Sequence, residues 1–247
     1  MTTQPPAALR ARVERLLIRV LVVYTAVAFP FVVVVNVFGG DARARAIILM
    51  AAGLVLLWVV LGGCLTLRYR DRVREAVLRV GVRWEWRFLL MATGMALLEE
   101  AITTTMTNLA PELGSQIGVA YITASTNYLI VISFSSVVVF VPEFVGWVFL
   151  LRRYDFSPNE VFLLYGLLGA TMESALSPYA VLGSFWFFVY GLMVYLPAYA
   201  LPRDRPARTP RLRHYVLAYF VPLAFAVPVA LLDLWVAHSL GIHLWPR

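Results

Sequence analysis

Seven stretches of this chain run for roughly twenty residues each with almost no charge, and no other feature restricts its fold as strongly. They fall at approximately 16–38, 46–67, 88–108, 129–151, 158–179, 183–201 and 214–238. A helix rises about 1.5 Å per residue, so about 20 apolar residues cross a hydrocarbon core roughly 30 Å thick. Lipid offers no hydrogen bonds to the backbone, so an isolated apolar stretch must be helical there. The expected fold is all-α: a polytopic integral membrane protein of seven transmembrane helices, with 1–247 forming a single membrane domain. Composition agrees. The 247 residues are 61% hydrophobic and only 14% charged, whereas a soluble domain has roughly 45–50% and 25%. One cysteine, Cys64, excludes a fold held by internal disulfides.

The charges predict an orientation. All 21 basic residues are arginine, so no lysine is present to act as a Schiff base, an amine nucleophile or a P-loop residue. With the N-terminus in the cytoplasm, 18 arginines lie inside and 3 (Arg43, Arg45 and Arg247) outside. The positive-inside rule therefore predicts an inner (cytoplasmic) membrane protein, N-terminus inside and C-terminus outside. It also accounts for the net charge of +7 without nucleic acid. The first apolar stretch is longer than a signal-peptide core and is read as an uncleaved span.

Three connecting segments stand out. Residues 117–128, QIGVAYITASTN, are apolar, yet an eighth crossing there would invert the charge bias that follows. The segment is expected to be re-entrant or interfacial, with Thr123, Ser125, Thr126 and Asn127 lining whatever it encloses. The loop 68–87 repeats Val73, Val77, Val80 and Trp84 at three- and four-residue spacing among arginines. It is expected to lie as an amphipathic helix on the membrane surface, where anionic lipid is its partner. The proline-rich, basic segment 202–213 reads as a connector.

Five acids fall inside the apolar stretches: Glu99, Glu100, Glu143, Glu173 and Asp233. A central acid costs about 2.5–3.5 kcal/mol on insertion scales, and no arginine lies mid-span to offset it. Arg19, near the inner end of the first stretch, is the one cation within expected reach of Glu143. The acids must be protonated, share a proton, or meet a cation from outside the chain. The cofactor is thus unknown, with a divalent cation one candidate and the metal-ligating residues undetermined. The orientation places Glu99, Glu100, Glu173, Asp233 and His238 in the outer half of the membrane, and Glu143 in the inner half.

Helical spacing groups some of these residues. Glu99, Thr103 and Thr107 share one face of the third stretch, and Glu100, Thr104 and Asn108 a second. In GLLGATMES, the small residues Gly166, Gly169, Ala170 and Ser174 lie beside Glu173 and permit close helix approach. The expected neighbour is the third stretch, which would cluster Glu173 with Glu99 and Glu100. Pro222 and Pro228 bend the last stretch and bring Asp233 and His238 toward each other. The candidate catalytic residues are Glu99, Glu100 and Glu173. The candidate binding residues are Thr103, Thr107, Asn127, Asp233 and His238.

Paired glutamates on a spanning helix also occur in the CAAX-protease and bacteriocin-processing families, and Glu99–Glu100 resembles the opening of their first motif. The likeness is confined to that pair. Thr104 stands where an arginine follows in those families, and no mid-span histidine comes later. The leading expectation is a metal- or proton-dependent intramembrane enzyme of hydrolase or protease type. The alternatives are a proton- or cation-coupled small-molecule transporter, or a non-catalytic subunit whose acids meet basic residues of a partner membrane protein.

Overall fold

A computed structural model describes residues 7–175, 183–202 and 204–242. The fold is all helical, with no strand among the described residues. Helix α1 covers Ala7–Gly39, α2 Ala42–Leu54 and α3 Gly63–Arg79, with a π-helical stretch Val55–Gly62 joining the last two. Then come α4 (Trp84–Asn108), α5 (Tyr128–Phe134), α6 (Val137–Leu151), α7 (Pro158–Ala175), α8 (Phe185–Tyr199) and α9 (Leu212–Ser239).

Three helices are long and apolar enough to cross a membrane: α1, the continuous rod Ala42–Arg79, and α9. The α5–α6 pair, bent by 42° at residues 135–136, makes a fourth if it is one broken span. The outer surfaces of α1 and α9 expose Val27, Phe31, Leu231 and Trp235, while glutamates and threonines of α4 are buried. Apolar surface outside and polar groups inside suit a lipid solvent.

The rod corrects one expectation. The sequence ends its second stretch at 67 and expects a separate surface helix over 68–87. Instead the helix runs on to Arg79, the chain turns at 80–83, and Trp84 opens α4. Leu, Arg, Glu and Ala are good helix formers and nothing in 64–79 breaks the ladder. The glycines at 62 and 63 are taken up at the end of the π-helical stretch rather than as a stop.

Glycines set the core packing. A Cβ on Gly169 would collide with the Tyr190 ring, and one on Gly166 with Phe187. On the facing helix, Gly191 sits against Phe162. The small face of α7 therefore packs on α8, not on α4 as the sequence suggested. The bulky rings of α8 need a facing surface without side chains, and α7 has it. The Ser174 side chain and residues 176–179 of that stretch lie outside the described residues. In α6, Gly146 faces α9 at Pro222, whose Cα lies 2.8 Å from where a Cβ would stand.

Arginine contacts gather several helix ends. Arg152 at the end of α6 pairs with Glu85 in the first turn of α4 at 2.9 Å. Partial burial pushes the Glu85 carboxyl up, but its own backbone N–H and the guanidiniums of Arg152 and Arg83 outweigh that and hold it below the ordinary carboxylate range. Arg10 of α1 forks onto Glu160 of α7, which also accepts from the Tyr215 hydroxyl of α9. Ser157 and Glu160 form a reciprocal cap: the Ser157 N–H donates to Oε2 of Glu160 at 2.9 Å, and the Glu160 N–H donates to Oγ of Ser157 at 3.1 Å.

Residues 109–127 form turns and bends, with Gly114 and Gly118 both at φ 85°. No helix forms over 117–127, which removes the interfacial-helix alternative. The segment tucks Ala120, Thr123 and Ala124 into the protein.

Candidate functional site

The buried face of α4 reads Ala92, Ala96, Glu99, Glu100, Thr103, Thr104, Thr107. It begins with small residues and becomes polar halfway along. Glu99 is 3% exposed and Glu100 6%. A carboxyl so enclosed needs hydrogen bonds or a proton, and the two glutamates meet that need differently.

Glu100 is held by hydroxyls. Thr103 Oγ1 donates to its Oε2 at 3.0 Å, and Thr123 Oγ1 from the irregular segment donates at 3.3 Å. Ser136, at the α5–α6 bend, donates instead to the Val131 carbonyl at 3.3 Å. Glu99 has no hydrogen-bond donor to its carboxyl among the described residues, and its electrostatic neighbours are the carboxyls of Glu100 and Glu173. Glu173 accepts from the Tyr190 hydroxyl at 2.6 Å. Glu99, Glu100 and Glu173 are thus brought within electrostatic reach, across α4 and α7, with α8 supplying Tyr190.

Glu143 joins the same neighbourhood. The sequence separated it by depth and offered Arg19 as its partner. Arg19 is exposed on α1, and Glu143 accepts from the Tyr165 hydroxyl at 2.7 Å instead. The Tyr165 and Tyr190 rings lie 6.2 Å apart, and both interact electrostatically with Glu99. A series of protonatable groups results: Glu143, Tyr165, Tyr190, Glu173, Glu99, Glu100. Phe140 and Phe144 flank it, the first edge-on to Tyr190 at 5.7 Å and the second tilted on Tyr165 at 5.7 Å.

The candidate binding residues divide. Thr103 belongs to the site. Thr107 Oγ1 accepts from the Ile122 N–H at 3.3 Å, and Asn108 Nδ2 donates to the Thr126 carbonyl at 3.0 Å. These two pin the irregular segment against α4. Asn127 caps α5, its Oδ1 accepting from the Leu129 N–H at 2.9 Å. Asp233 and His238 are not brought to the glutamates. They lie on α9, which packs chiefly on α6, and His238 is exposed.

The two tyrosines were not among the candidate residues, yet a signal for one existed. Tyr165, Gly169 and Glu173 share a helix face at i, i+4 and i+8, and a buried tyrosine hydroxyl normally finds a polar partner. Tyr190 carried no comparable signal, because α8 brings it in from a separate stretch.

Among the described residues, no group of three His, Cys, Asp or Glu side chains converges to hold a metal ion. Hydroxyl donors already occupy Glu100, Glu143 and Glu173. The arrangement can hold protons on its carboxyls, each of two of them bonded by a phenol. Comparison with protein-family models, curated proteins and solved structures returned no match.

Proposed function

We propose that this chain is a proton-dependent membrane protein, with proton-coupled transport of a small molecule as its activity. The observation that carries the reading is the gathering of protonatable groups in one interior: Glu143 bonded to Tyr165, Glu173 bonded to Tyr190, the two rings 6.2 Å apart, and Glu99 within electrostatic reach of Glu173. Enclosed carboxyls this close, without a cation, are a system that shares protons. A coupled transporter needs groups that take up and release a proton within the membrane. The irregular segment 109–127, which contributes Thr123 to Glu100, supplies non-helical backbone against protein, where membrane proteins tolerate it.

In this reading the chain crosses the inner membrane seven times with its N-terminus in the cytoplasm, as the split of 18 arginines against 3 favours. Glu143 then lies in the inner half and Glu100 in the outer half, and the series extends across depth. Arg68, Arg72 and Arg79 of α3, exposed beyond the apolar part of the rod, meet anionic headgroups.

An intramembrane hydrolase is the second reading. It is favoured by Glu99, a buried carboxyl without a hydrogen-bond donor among the described residues, beside the well-held Glu100, which is how an acid–base pair is divided.

Reconstitution into liposomes with an internal pH dye and an imposed pH gradient tests the first reading. We expect proton flux that falls at least tenfold in Glu99→Gln and Glu173→Gln. Wild-type flux no greater than in empty liposomes, with or without a library of candidate solutes, would overturn it. Cleavage of a reconstituted transmembrane peptide that is lost in Glu99→Gln would then establish the second.

A further inference from the structure

A crevice of about 980 Å³ opens between α1, α7 and α9, and none of Glu99, Glu100, Glu143 and Glu173 lines it. Its walls are mostly aliphatic; the charged residues among them are Arg10, Glu14, Glu160 and Arg211, with Arg10 paired to Glu160. Val13, Leu17 and Val20 of α1 face Leu163, Leu164 and Leu167 of α7 across it. From Leu9 to Leu21 it follows α1 over twelve helical rises, or about 18 Å, a little more than half of a hydrocarbon core roughly 30 Å thick. That is the length of one leaflet. Thr209 and Arg211 line its end, and the same two residues also line a second, polar hollow of about 250 Å³. An apolar groove and a polar cup therefore share a rim.

The cup is basic. Arg208, Arg211 and Arg213 surround it with Tyr154, Thr209 and His214, and no acid lines it. It sits at the N-terminus of the long helix α9, whose dipole also favours an anion.

His214 adds an independent observation. It is only 6% exposed and stacks on the Tyr154 ring at 4.0 Å. Its Nδ1 accepts the Arg211 backbone N–H at 2.8 Å, while its Nε2 faces the Arg213 Nε–H at 3.3 Å. A neutral imidazole can accept at one nitrogen only. With Nδ1 accepting, Nε2 carries a proton and points at another donor. An anionic oxygen at this point would accept from both and remove the conflict.

We propose that groove and cup together bind one anionic phospholipid of the leaflet on the arginine-rich side. An acyl chain lies between α1 and α7, and the phosphate is held by Arg211, Arg213 and the Nε2–H of His214. The matched length, the shared rim and the charge of the cup specify this occupant over an apolar helix, which would bring no anion to the cup. The site is separate from the carboxyl series and stands or falls independently of the transport reading.

The test uses the full chain in detergent and native mass spectrometry. Phosphatidylglycerol, phosphatidylcholine and inorganic phosphate are each added to wild type, to Arg211→Gln/Arg213→Gln, and to Leu164→Trp. The arginines are exposed, so that variant keeps its fold; unchanged helix content by circular dichroism checks both. We expect one phosphatidylglycerol retained per chain, at least tenfold preferred over phosphatidylcholine. The preference falls to about unity in the double-arginine variant, and lipid retention is lost in Leu164→Trp. Equal retention of both lipids by wild type, or an unchanged preference without the arginines, would overturn the proposal. So would inorganic phosphate displacing the lipid at equal concentration, which would make the cup a site for soluble anions. A wild-type dimer that dissociates in Leu164→Trp would assign the groove to a second copy and would equally overturn it.

Discussion

A buried carboxyl is tolerable only when something donates to it or protonates it, and Glu99, Glu100, Glu143 and Glu173 answer in different ways. Glu143 depends on the single hydroxyl of Tyr165, at 2.7 Å and with only 6% of the residue exposed. Tyr165→Phe removes that donor and keeps the ring. Leaving a buried acceptor unsatisfied costs about 1–3 kcal/mol, so the variant is expected to unfold correspondingly earlier in thermal denaturation in detergent. Tyr190→Phe should cost less, because Glu173 is only partly buried. Equal stability of wild type and Tyr165→Phe would mean that Glu143 is protonated and self-sufficient. The placement of acids in apolar sequence announced that such partners were needed. Which hydroxyl served which acid was not legible, since Tyr165 and Glu143 are 22 residues apart on different helices.

At the scale of elements, helix contacts are decided by where side chains are missing. α7 approaches α8 through Gly166 and Gly169, and α6 approaches α9 where Gly146 meets Pro222. Gly169→Val places branched carbons inside the Tyr190 ring's volume and is expected to destabilise by about 1–3 kcal/mol, as overpacking does. It should also detach Tyr190 from Glu173. Gly94 on α4 is the contrast, exposed and with nothing within 4 Å of an added Cβ. Gly94→Ala should be neutral or stabilise by up to about 1 kcal/mol through helix propensity. Thermal melts of the two variants side by side check both, and a Gly169→Val protein as stable as wild type would mean that α7 and α8 do not pack so closely. The small-residue face was readable from GLLGATMES, but its partner was not. Any helix with rings to bury can use a glycine face, and α8 lies nearest in sequence as well as in space.

For the whole molecule, the distribution of arginines and the arrangement of helix ends bear on one question, how the chain sits in its membrane. Arg10, Arg152 and Arg205 tie the ends of α1, α6 and α7 and the 202–211 connector together. In a Cys64→Ser background, Arg79→Cys should react with an impermeant thiol reagent only from the cytoplasmic side. Ser239→Cys should react only from the outside. Labelling of both from one side would refute the seven-crossing arrangement, though not the helical fold.

That the chain is helical and suited to lipid was legible from residue order alone, because long apolar runs leave the backbone no other way to satisfy its hydrogen bonds. So was the need to accommodate acids such as Glu99 and Glu100 without an arginine from their own span. Which groups do so depends on how the helices pack. Thr123 arrives from a non-helical segment, and Tyr165 and Tyr190 from two other helices. Periodicity reports which face of a helix is polar, but it carries no information about which neighbour that face will meet. The same limit hid the groove beside α1 and its basic cup, where residues about 200 apart in the chain form a single rim.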